Sequence, residues 1–132
     1  MKNLAAVTVV AALAVGIVVG KRFVREDESV VEPRTQERAD LPQLIEFAAT
    51  WCKPCVELKP IMNDLRREYR GKVNVRIVDV DEQPEFAAQF GLFGVPTIVY
   101  LDENGQEQFR YVGLVSKHQL VAALAGVGVE RS

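Results

Sequence analysis

Cys52 and Cys55 are the two cysteines of this chain of 132 residues, and they stand two residues apart in the stretch TWCKPC. A disulfide framework usually needs four or more cysteines, and a bond across so short a loop would stabilise the fold little. A zinc site commonly needs about four ligands, and the single histidine, His118, is far away in the sequence. A zinc site shared between two chains stays open as an alternative. Redox chemistry is the use that this pair fits best.

A buried strand and a long helix are predicted on either side of the pair. Residues 44–49 are largely apolar, which favours a buried strand, and apolar residues at helical spacing over residues 58–69 predict a helix. Cys52 then lies at the helix N-terminus, where free N–H groups favour an anion, and Lys53 adds a positive charge. We therefore expect Cys52 to be the exposed nucleophile. Cys55, one turn deeper on the same face, is expected to resolve a mixed disulfide.

The rest of the globular part alternates between strand and helix patterns. Pro54, between the two cysteines, is compatible with the first turn of the helix predicted above, because the N–H groups of a first turn have no intrahelical partner. The predicted elements that follow are a strand at residues 73–80, a short helix from Pro84 to Gly91, a strand at residues 97–101, a DENG turn, a strand at residues 108–112 and a helix capped by Ser116. This order predicts an α/β fold with a mixed central sheet and helices on its faces.

The first twenty residues form an apolar run. Residues 4–20 carry no charge, and as a helix they would span roughly 26 Å, close to the thickness of a bilayer core. We interpret residues 1–21 as a transmembrane anchor; a cleaved signal peptide is the second interpretation and a buried core helix the third. Residues 22–40 are polar and are interpreted as a linker, and residues 41–132 as the globular domain.

Several motifs in this order resemble the thioredoxin family. They are TWCKPC, Pro60 within the following helix, GVPT at residues 94–97, and Gly113 after the last strand. The resemblance covers about residues 44–126 and implies a thioredoxin-like fold. It also implies that the peptide bond before Pro96 is cis and that Pro96 packs beside the sulfurs. The backbone of Val95 is then expected to pair with an extended substrate segment. The substrate-binding residues that it implies are Trp51, Lys53, Pro54, Val95 and Pro96.

Glu46 matches the position of the buried acid in this family. Thioredoxins usually have Asp there, whereas a Glu is similar to the membrane-tethered thioredoxin-like reductases. A buried carboxyl beneath Cys55 would have a raised pKa and would accept its proton during resolution. Two departures concern the chemistry: the motif has Lys-Pro instead of Gly-Pro between the cysteines, and a lysine that often accompanies the buried acid appears here as Ile77.

The resemblance implies a thiol–disulfide oxidoreductase that reduces protein disulfides without an organic cofactor or a metal. An oxidant or isomerase of the same fold, or a non-catalytic binding module, is the alternative. The partners expected are disulfide-containing proteins and an electron donor, which is either a transmembrane carrier or thioredoxin reductase. We expect a monomer. The net charge of −2 and the absence of a basic stripe argue against nucleic acid.

Two conflicting signals indicate the side of the membrane on which the globular domain lies. Lys21, Arg22 and Arg25 follow the apolar run and Lys2 precedes it, which places the domain in the cytoplasm by the positive-inside rule. The resemblance to tethered thioredoxin-like proteins instead favours the extracytoplasmic face of the inner membrane. We take the extracytoplasmic, periplasmic face as the prediction and the cytoplasmic face as the alternative.

We assign no chemical role to His118, to the acidic residues 79–85, or to Phe90 and Phe93. His118 is expected at the surface, and the acidic residues 79–85 are expected to form a solvated loop and helix start instead of a metal site. Phe90 and Phe93 are expected to pack in the core, with a place on the substrate surface as the alternative for Phe93.

Overall fold

The structure, a computed structural model, describes residues 40–132. The predicted anchor at residues 1–21 and, apart from Asp40, the predicted linker at residues 22–40 lie outside these residues. No helix within the described range is both long enough and apolar enough to span a bilayer. The elements are β1 Gln43–Ala48, α1 Lys53–Glu68, β2 Asn74–Asp79, α2 Pro84–Ala88, β3 Thr97–Leu101, β4 Glu107–Val112 and α3 Lys117–Gly126.

The four strands form one mixed sheet in the order β2-β1-β3-β4. β1 and β2 are parallel, and β3 runs antiparallel to both β1 and β4. A parallel pair needs a crossover, which α1 provides, whereas a short hairpin joins β3 to β4. Asp102 closes this hairpin, since its Oδ1 accepts hydrogen bonds of 2.9 Å from the N–H groups of Asn104 and Gln106. The predicted α/β fold with a mixed sheet is confirmed.

β1 is a central strand, and its residues after Gln43 are all buried. Successive side chains of a strand point to opposite faces. Leu44 therefore packs with the buried side chains of α1 and α3, whereas Ile45 and Phe47 pack with those of α2. Glu46 shares its face with Leu44, so its carboxyl lies on the side of the sheet covered by α1 and α3. Burial on both faces explains why this strand reads as a nearly continuous apolar run.

α1 positions the cysteines against the end of β1. Its buried residues Leu58, Met62 and Leu65 recur at three and four positions and pack against the sheet, as the sequence pattern predicted. Pro54 lies in the first turn, where a missing N–H group costs no intrahelical hydrogen bond. Gly71 follows the helix with a φ of 76°, a left-handed conformation that glycine adopts readily.

Candidate active site

Cys52 and Cys55 form a disulfide bond at the start of α1, with their Cα atoms 5.4 Å apart. Cys52 is the N-cap residue, and its Sγ accepts a hydrogen bond of 3.3 Å from the N–H of Cys55. The sulfur of Cys52 thus lies where the free N–H groups and the dipole of the helix stabilise a negative charge. In the reduced protein this position favours the thiolate at Cys52 over the thiolate at Cys55.

The burial of the two cysteines differs from the sequence-based expectation. Cys52 is 4% exposed and Cys55 is 5% exposed, so the picture of an exposed nucleophile above a buried resolving thiol is wrong for the oxidised state. Both cysteines pack against Ala48 and Ala49 at the end of β1. Burial therefore does not distinguish them, and the difference in their chemistry comes from the N-cap position of Cys52.

Trp51, Lys53 and Pro54 are exposed beside the disulfide. Trp51 is 70% exposed, yet its Nε1 donates a hydrogen bond of 2.8 Å to Oδ2 of Asp81 in the loop after β2. The acidic pattern of this loop predicts only solvated side chains. No local sequence signal reveals the contact, because the two residues are 30 positions apart and only the parallel pairing of β1 with β2 brings their loops together.

The peptide bond between Val95 and Pro96 is cis, as the resemblance implied. Pro96 is buried, and its carbonyl oxygen accepts a hydrogen bond of 2.8 Å from the N–H of Gly113. The hydroxyl of Thr97 donates to the carbonyl oxygen of Gly94 at 2.6 Å. Val95 packs against the cluster that contains both cysteines. The loop before β3 therefore lies next to the disulfide and is tied to the end of β4.

Phe90 and Phe93 have opposite environments. Phe90 packs with Phe47 and Phe86, with ring centroids 4.7 Å and 5.2 Å apart, so core packing is confirmed for it. Phe93 is 95% exposed, and core packing is wrong for this residue. The loop between α2 and β3 turns its side chain away from the sheet. A place for Phe93 on the substrate surface stays a prediction. His118 is exposed, as expected.

The carboxyl group of Glu46 is fully buried. It lies opposite Ile77 of β2 and Ile98 of β3, and neither of its oxygens has a hydrogen-bond partner among the described residues. Burial raises the pKa of Glu46 from 4.5 to about 7, although the positive charge of Lys59 acts in the opposite direction. The expected burial and raised pKa are confirmed, and the role of this acid in proton transfer stays a prediction.

A cavity of about 290 Å³ opens beside Cys55. It is lined by Ala48, Ala49, Thr50, Cys55, Val56, Lys59, Ile77 and Asp79. Ile77 connects this cavity to the buried acid, because it is the register partner of Glu46 and also packs against the cysteine cluster. The sequence pattern does not predict the cavity, which depends on how far α1 stands from β2. Within residues 40–132 no group of three or more acidic, cysteine or histidine side chains is arranged to hold a metal ion.

This arrangement can exchange a disulfide and move a proton. Two sulfurs three residues apart open and close one bond, the start of α1 stabilises a thiolate on one of them, and a carboxyl group with a pKa near neutrality lies on the same side of the sheet. The fold and the site together define a thiol–disulfide oxidoreductase.

Comparison with known proteins agrees with this class. The thioredoxin family model matches residues 28–126. The thioredoxin of Rickettsia felis is 39% identical over 83 residues, which cover 63% of this chain and 78% of that protein. The thioredoxin of Pseudomonas aeruginosa is 36% identical over 87 residues, covering 66% and 80%. That of Alicyclobacillus acidocaldarius is 37% identical over 90 residues, covering 68% and 85%. The chain belongs to the thioredoxin family.

The protein is therefore a protein-disulfide reductase that works through the Cys52–Cys55 pair. In one cycle its dithiol becomes a disulfide, and the two electrons and two protons that it loses convert a substrate disulfide to two thiols. The redox group is the cysteine pair itself, so the reaction needs no cofactor. The family implies disulfide-containing proteins as substrates and a reductase that returns the pair to the dithiol.

Proposed function

We propose that Cys52 attacks the substrate disulfide, that Cys55 resolves the mixed disulfide and that Glu46 is the general base for Cys55. The observation that carries this proposal is the disulfide at the first turn of α1 on the same side of the sheet as a buried carboxyl that has no hydrogen-bond partner within residues 40–132. The N-cap position stabilises the thiolate of Cys52. A carboxyl with a pKa of about 7 is present in both protonation states at neutral pH, which suits proton transfer.

The reaction has two steps. The thiolate of Cys52 attacks one sulfur of the substrate disulfide, which forms a mixed disulfide and releases the other sulfur as a thiolate that takes a proton from water. Glu46 then removes the proton of Cys55, and the Cys55 thiolate attacks Sγ of Cys52. This closes the Cys52–Cys55 bond and releases the second substrate thiolate, which is protonated in turn. A reductase with two electrons to donate reopens the bond.

The substrate surface in this proposal lies around the disulfide. Its members are Trp51, Lys53, Pro54, Val95 and Pro96. An extended segment of the substrate pairs with the backbone of Val95, which lies in the loop packed against the cysteines. The exposed indole of Trp51 and the exposed side chain of Lys53 contact the residues that flank the substrate cysteine. Two-sided contact of this kind suits an unfolded or extended protein segment.

Reduction of insulin disulfides tests the roles of the two cysteines. Cys52→Ser is expected to abolish turnover, because no thiolate remains at the helix start. Cys55→Ser is expected to stop after the first step and to accumulate a mixed disulfide that survives non-reducing electrophoresis. If Cys55→Ser accumulates no mixed disulfide while Cys52→Ser does, the assignment of nucleophile and resolving thiol is reversed. Equal inactivity of the parent and of Cys52→Ser would favour a binding module.

We also propose that residues 1–21 anchor the protein in the inner membrane by a single helix and that residues 22–40 tether the domain on the periplasmic face. Two features support an anchored, periplasmic protein. The first is the apolar run, and the second is Glu46, because membrane-tethered thioredoxin-like reductases similarly have a glutamate at this position. The electron donor is then a transmembrane carrier, and the substrates are exported proteins. On the cytoplasmic face the donor would be thioredoxin reductase.

Labelling of intact spheroplasts tests the location. The cells are briefly reduced and then treated with a bulky, charged maleimide that does not cross the inner membrane. Labelling of Cys52 and Cys55 without lysis is the result expected for a periplasmic domain. Labelling only after lysis would place the domain in the cytoplasm. Recovery of the full-length chain, with its first twenty residues, in the membrane fraction separates an anchor from a cleaved signal peptide.

A further inference from the structure

The cavity beside Cys55 gives solvent a route towards the buried side of the active site. Three of its lining residues, Cys55, Val56 and Lys59, come from one side of α1, and the others come from the end of β1 and from β2. Its volume of about 290 Å³ is room for several water molecules. Ile77 lines the cavity and is also the register partner of Glu46 in the β1–β2 pair, so one residue of the cavity wall is a direct neighbour of Glu46 in the sheet.

The immediate surroundings of Glu46 do not stabilise a negative charge. Its two register partners are isoleucines, Ile77 and Ile98, and its carboxyl oxygens accept no hydrogen bond from the described residues. A buried carboxylate without donors is strongly disfavoured unless a positive charge lies near it. A general base must nevertheless be ionised before it can take a proton from Cys55. The source of that stabilisation has to lie beyond the two neighbouring strands.

The charged and titratable groups on this side of the sheet are few. Besides the two active-site cysteines they are Lys59, Asp64, Arg66, Glu68 and Tyr69 at α1, Asp79 of β2, Tyr100 of β3, Tyr111 of β4 and Lys117 of α3. The guanidinium group of Arg66 donates a hydrogen bond of 2.9 Å to the carbonyl oxygen of Val75, near the start of β2 and away from the cysteines. Burial raises the pKa of Tyr69 and of Tyr100, so these hydroxyls carry no charge at pH 7. The ammonium group of Lys117 is paired with Asp64 and Glu68 at the other end of α1.

Asp79 and Lys59 remain, and both line the cavity. Asp79 accepts hydrogen bonds from the N–H groups of Asp81 and Glu82 through its Oδ1, and its charge has the wrong sign to stabilise a carboxylate. Lys59 is four residues after Cys55 on the helix, so both project to the same side of α1. The side chain of Lys59 is exposed, and its ammonium group forms no hydrogen bond or ion pair with another residue of the described range.

We propose that Lys59, at the mouth of this cavity, is a positioning residue that stabilises the ionised form of Glu46 and thereby sets the pH range in which Cys55 can be deprotonated. This deepens the proposed function and rests on Glu46 being the base for Cys55. The positive charge of Lys59 lowers the pKa of Glu46 against the larger effect of burial, which agrees with this role. α1 thus supplies the positive charge of Lys59 to the carboxyl group of Glu46, whose neighbours in the sheet are two isoleucines.

The proton balance of the resolving step is simple. Ionised Glu46 takes the proton of the Cys55 thiol, the Cys55 thiolate attacks Sγ of Cys52, and the substrate sulfur leaves with the electron pair of the mixed disulfide. Neutral Glu46 then returns its proton to solvent through the cavity, and Lys59 favours this release because it stabilises the carboxylate that remains. Lys59 keeps its own proton throughout, so it acts through Glu46 and not as an acid or a base.

A stopped-flow measurement isolates the resolving step in the full-length protein. The probe is a disulfide-linked peptide pair with a fluorophore on one half, added in excess to the reduced protein. Fluorescence anisotropy rises when Cys52 captures the labelled half and falls when Cys55 releases it. The rate constant of the second phase is followed from pH 5 to pH 9 for the parent, Lys59→Met, Lys59→Arg and Glu46→Gln. Lys72→Met is the matched control, because it removes a lysine whose ammonium group binds the carbonyl oxygen of Arg131, outside the cavity lining.

The parent is expected to show a midpoint near pH 7 in this profile. Lys59→Met should move the midpoint upwards by about 0.5 unit, less than the one to three units of a contacting ion pair. Lys59→Arg and Lys72→Met should keep the parental midpoint, and Glu46→Gln should lose it.

Two outcomes would overturn the inference in distinguishable ways. If Glu46→Gln loses the midpoint but Lys59→Met keeps it, with or without a uniform loss of rate at all pH values, Lys59 has no positioning role and the role of Glu46 stands. If Glu46→Gln itself keeps the parental midpoint, the proposed base is wrong, and the role of Lys59 is wrong with it.

Discussion

Glu46 and Ile77 lie opposite each other in the parallel pair β1–β2, and the carboxyl group of Glu46 is fully buried without a hydrogen-bond partner among the described residues. An unpartnered buried acid destabilises a fold, and an ionised one destabilises it more. An apolar residue at position 46 would satisfy the packing of β1 equally well. The strand therefore contains a group that weakens the fold at neutral pH, which supports the proposed role of Glu46 in the chemistry of the neighbouring cysteines.

The pH dependence of stability should reveal the cost of ionising Glu46. Its pKa is about 7 in the folded protein, against 4.5 as the ordinary value, so between these pH values the folded state holds a proton that the unfolded state has lost. The free energy of unfolding should therefore be fully retained below pH 4.5, fall progressively between pH 4.5 and 7, and level off once the pH has risen above 7. For a shift of this size the loss is about 3 kcal/mol.

Glu46→Gln should remove this pH dependence, because the amide does not titrate. The measurement is urea denaturation of the oxidised protein at several pH values between 4 and 8.5. Glu57→Gln is the control: Glu57 is an exposed acid on α1, and its replacement should leave the parental slope in place. A Glu46→Gln variant that loses stability with pH as the parent does would show that another group is responsible.

The reduction potential should lie in the reducing half of the range covered by this fold. We expect a value nearer to the about −270 mV of thioredoxin than to the about −120 mV of the strongest oxidant. Strong oxidants stabilise the thiolate of their reduced form. Here an ionised carboxyl of Glu46 lies on the same side of the sheet and disfavours a further negative charge on the cysteines. The two residues between the cysteines are Lys53 and Pro54, whereas the strong oxidants of this superfamily usually have a histidine there.

Equilibration with defined mixtures of reduced and oxidised dithiothreitol or glutathione, followed by thiol labelling, gives the potential. A value near that of the strongest oxidants would contradict the reductase assignment and would favour the oxidant. Glu46→Gln serves as the comparison, because removing the carboxyl should shift the potential towards more oxidising values at pH 8, where the parent's carboxyl is ionised.

Local sequence patterns were sufficient for the elements of the fold. The apolar run of β1, the helical spacing of Leu58, Met62 and Leu65, and the DENG turn each depend on contacts or dihedral preferences within a few residues. The cysteine pair could be placed for the same reason, since a strand end and a helix start position it. The cis bond before Pro96 came only from the resemblance, because most X-Pro bonds are trans.

Features that depend on distant contacts were not predictable in this way. The hydrogen bond from Trp51 to Asp81 joins two loops, and the cavity near Lys59 depends on the spacing between α1 and β2. The burial of Cys52 reflects packing against Ala48 at the end of β1. The exposure of Phe93 is set by the path of the loop before β3, and its hydrophobic side chain gave the opposite indication. Tertiary packing decides each of these.

The start of α3 should contribute measurably to stability. Ser116 accepts a hydrogen bond from the N–H of Gln119 through its hydroxyl, and the side chain of Gln119 accepts one of 3.0 Å from the N–H of Ser116, which completes a capping box. Ser116→Ala should lower the free energy of unfolding by about 1 kcal/mol, because it leaves a first-turn N–H without its partner. The measurement is the urea midpoint at constant slope. Ser116→Thr retains the hydroxyl and should lose far less; an equal loss would mean that the cap is not responsible.

The contact between Trp51 and Asp81 should hold the substrate surface in place. Trp51 is the only tryptophan of the chain, so the anisotropy of its fluorescence reports on this side chain alone. Asp81→Ala removes the acceptor of the 2.8 Å hydrogen bond, and the anisotropy should fall because the exposed indole gains rotational freedom. A side chain that must be ordered on binding costs about 0.5–1.5 kcal/mol, so KM for a protein disulfide should rise about two- to tenfold with kcat nearly unchanged.

Two further variants separate this role from a general effect of charge near the disulfide. Asp81→Asn keeps an acceptor oxygen without the charge and should retain most of the anisotropy. Glu82→Ala removes a neighbouring charge but leaves the hydrogen bond from Trp51 to Asp81 in place, so it should match the parent. If Asp81→Asn and Glu82→Ala raise KM as much as Asp81→Ala does, the acidic loop acts on the substrate through its charge. If only Asp81→Ala does so, and its anisotropy falls with it, the loop after β2 acts by fixing the indole next to Cys52.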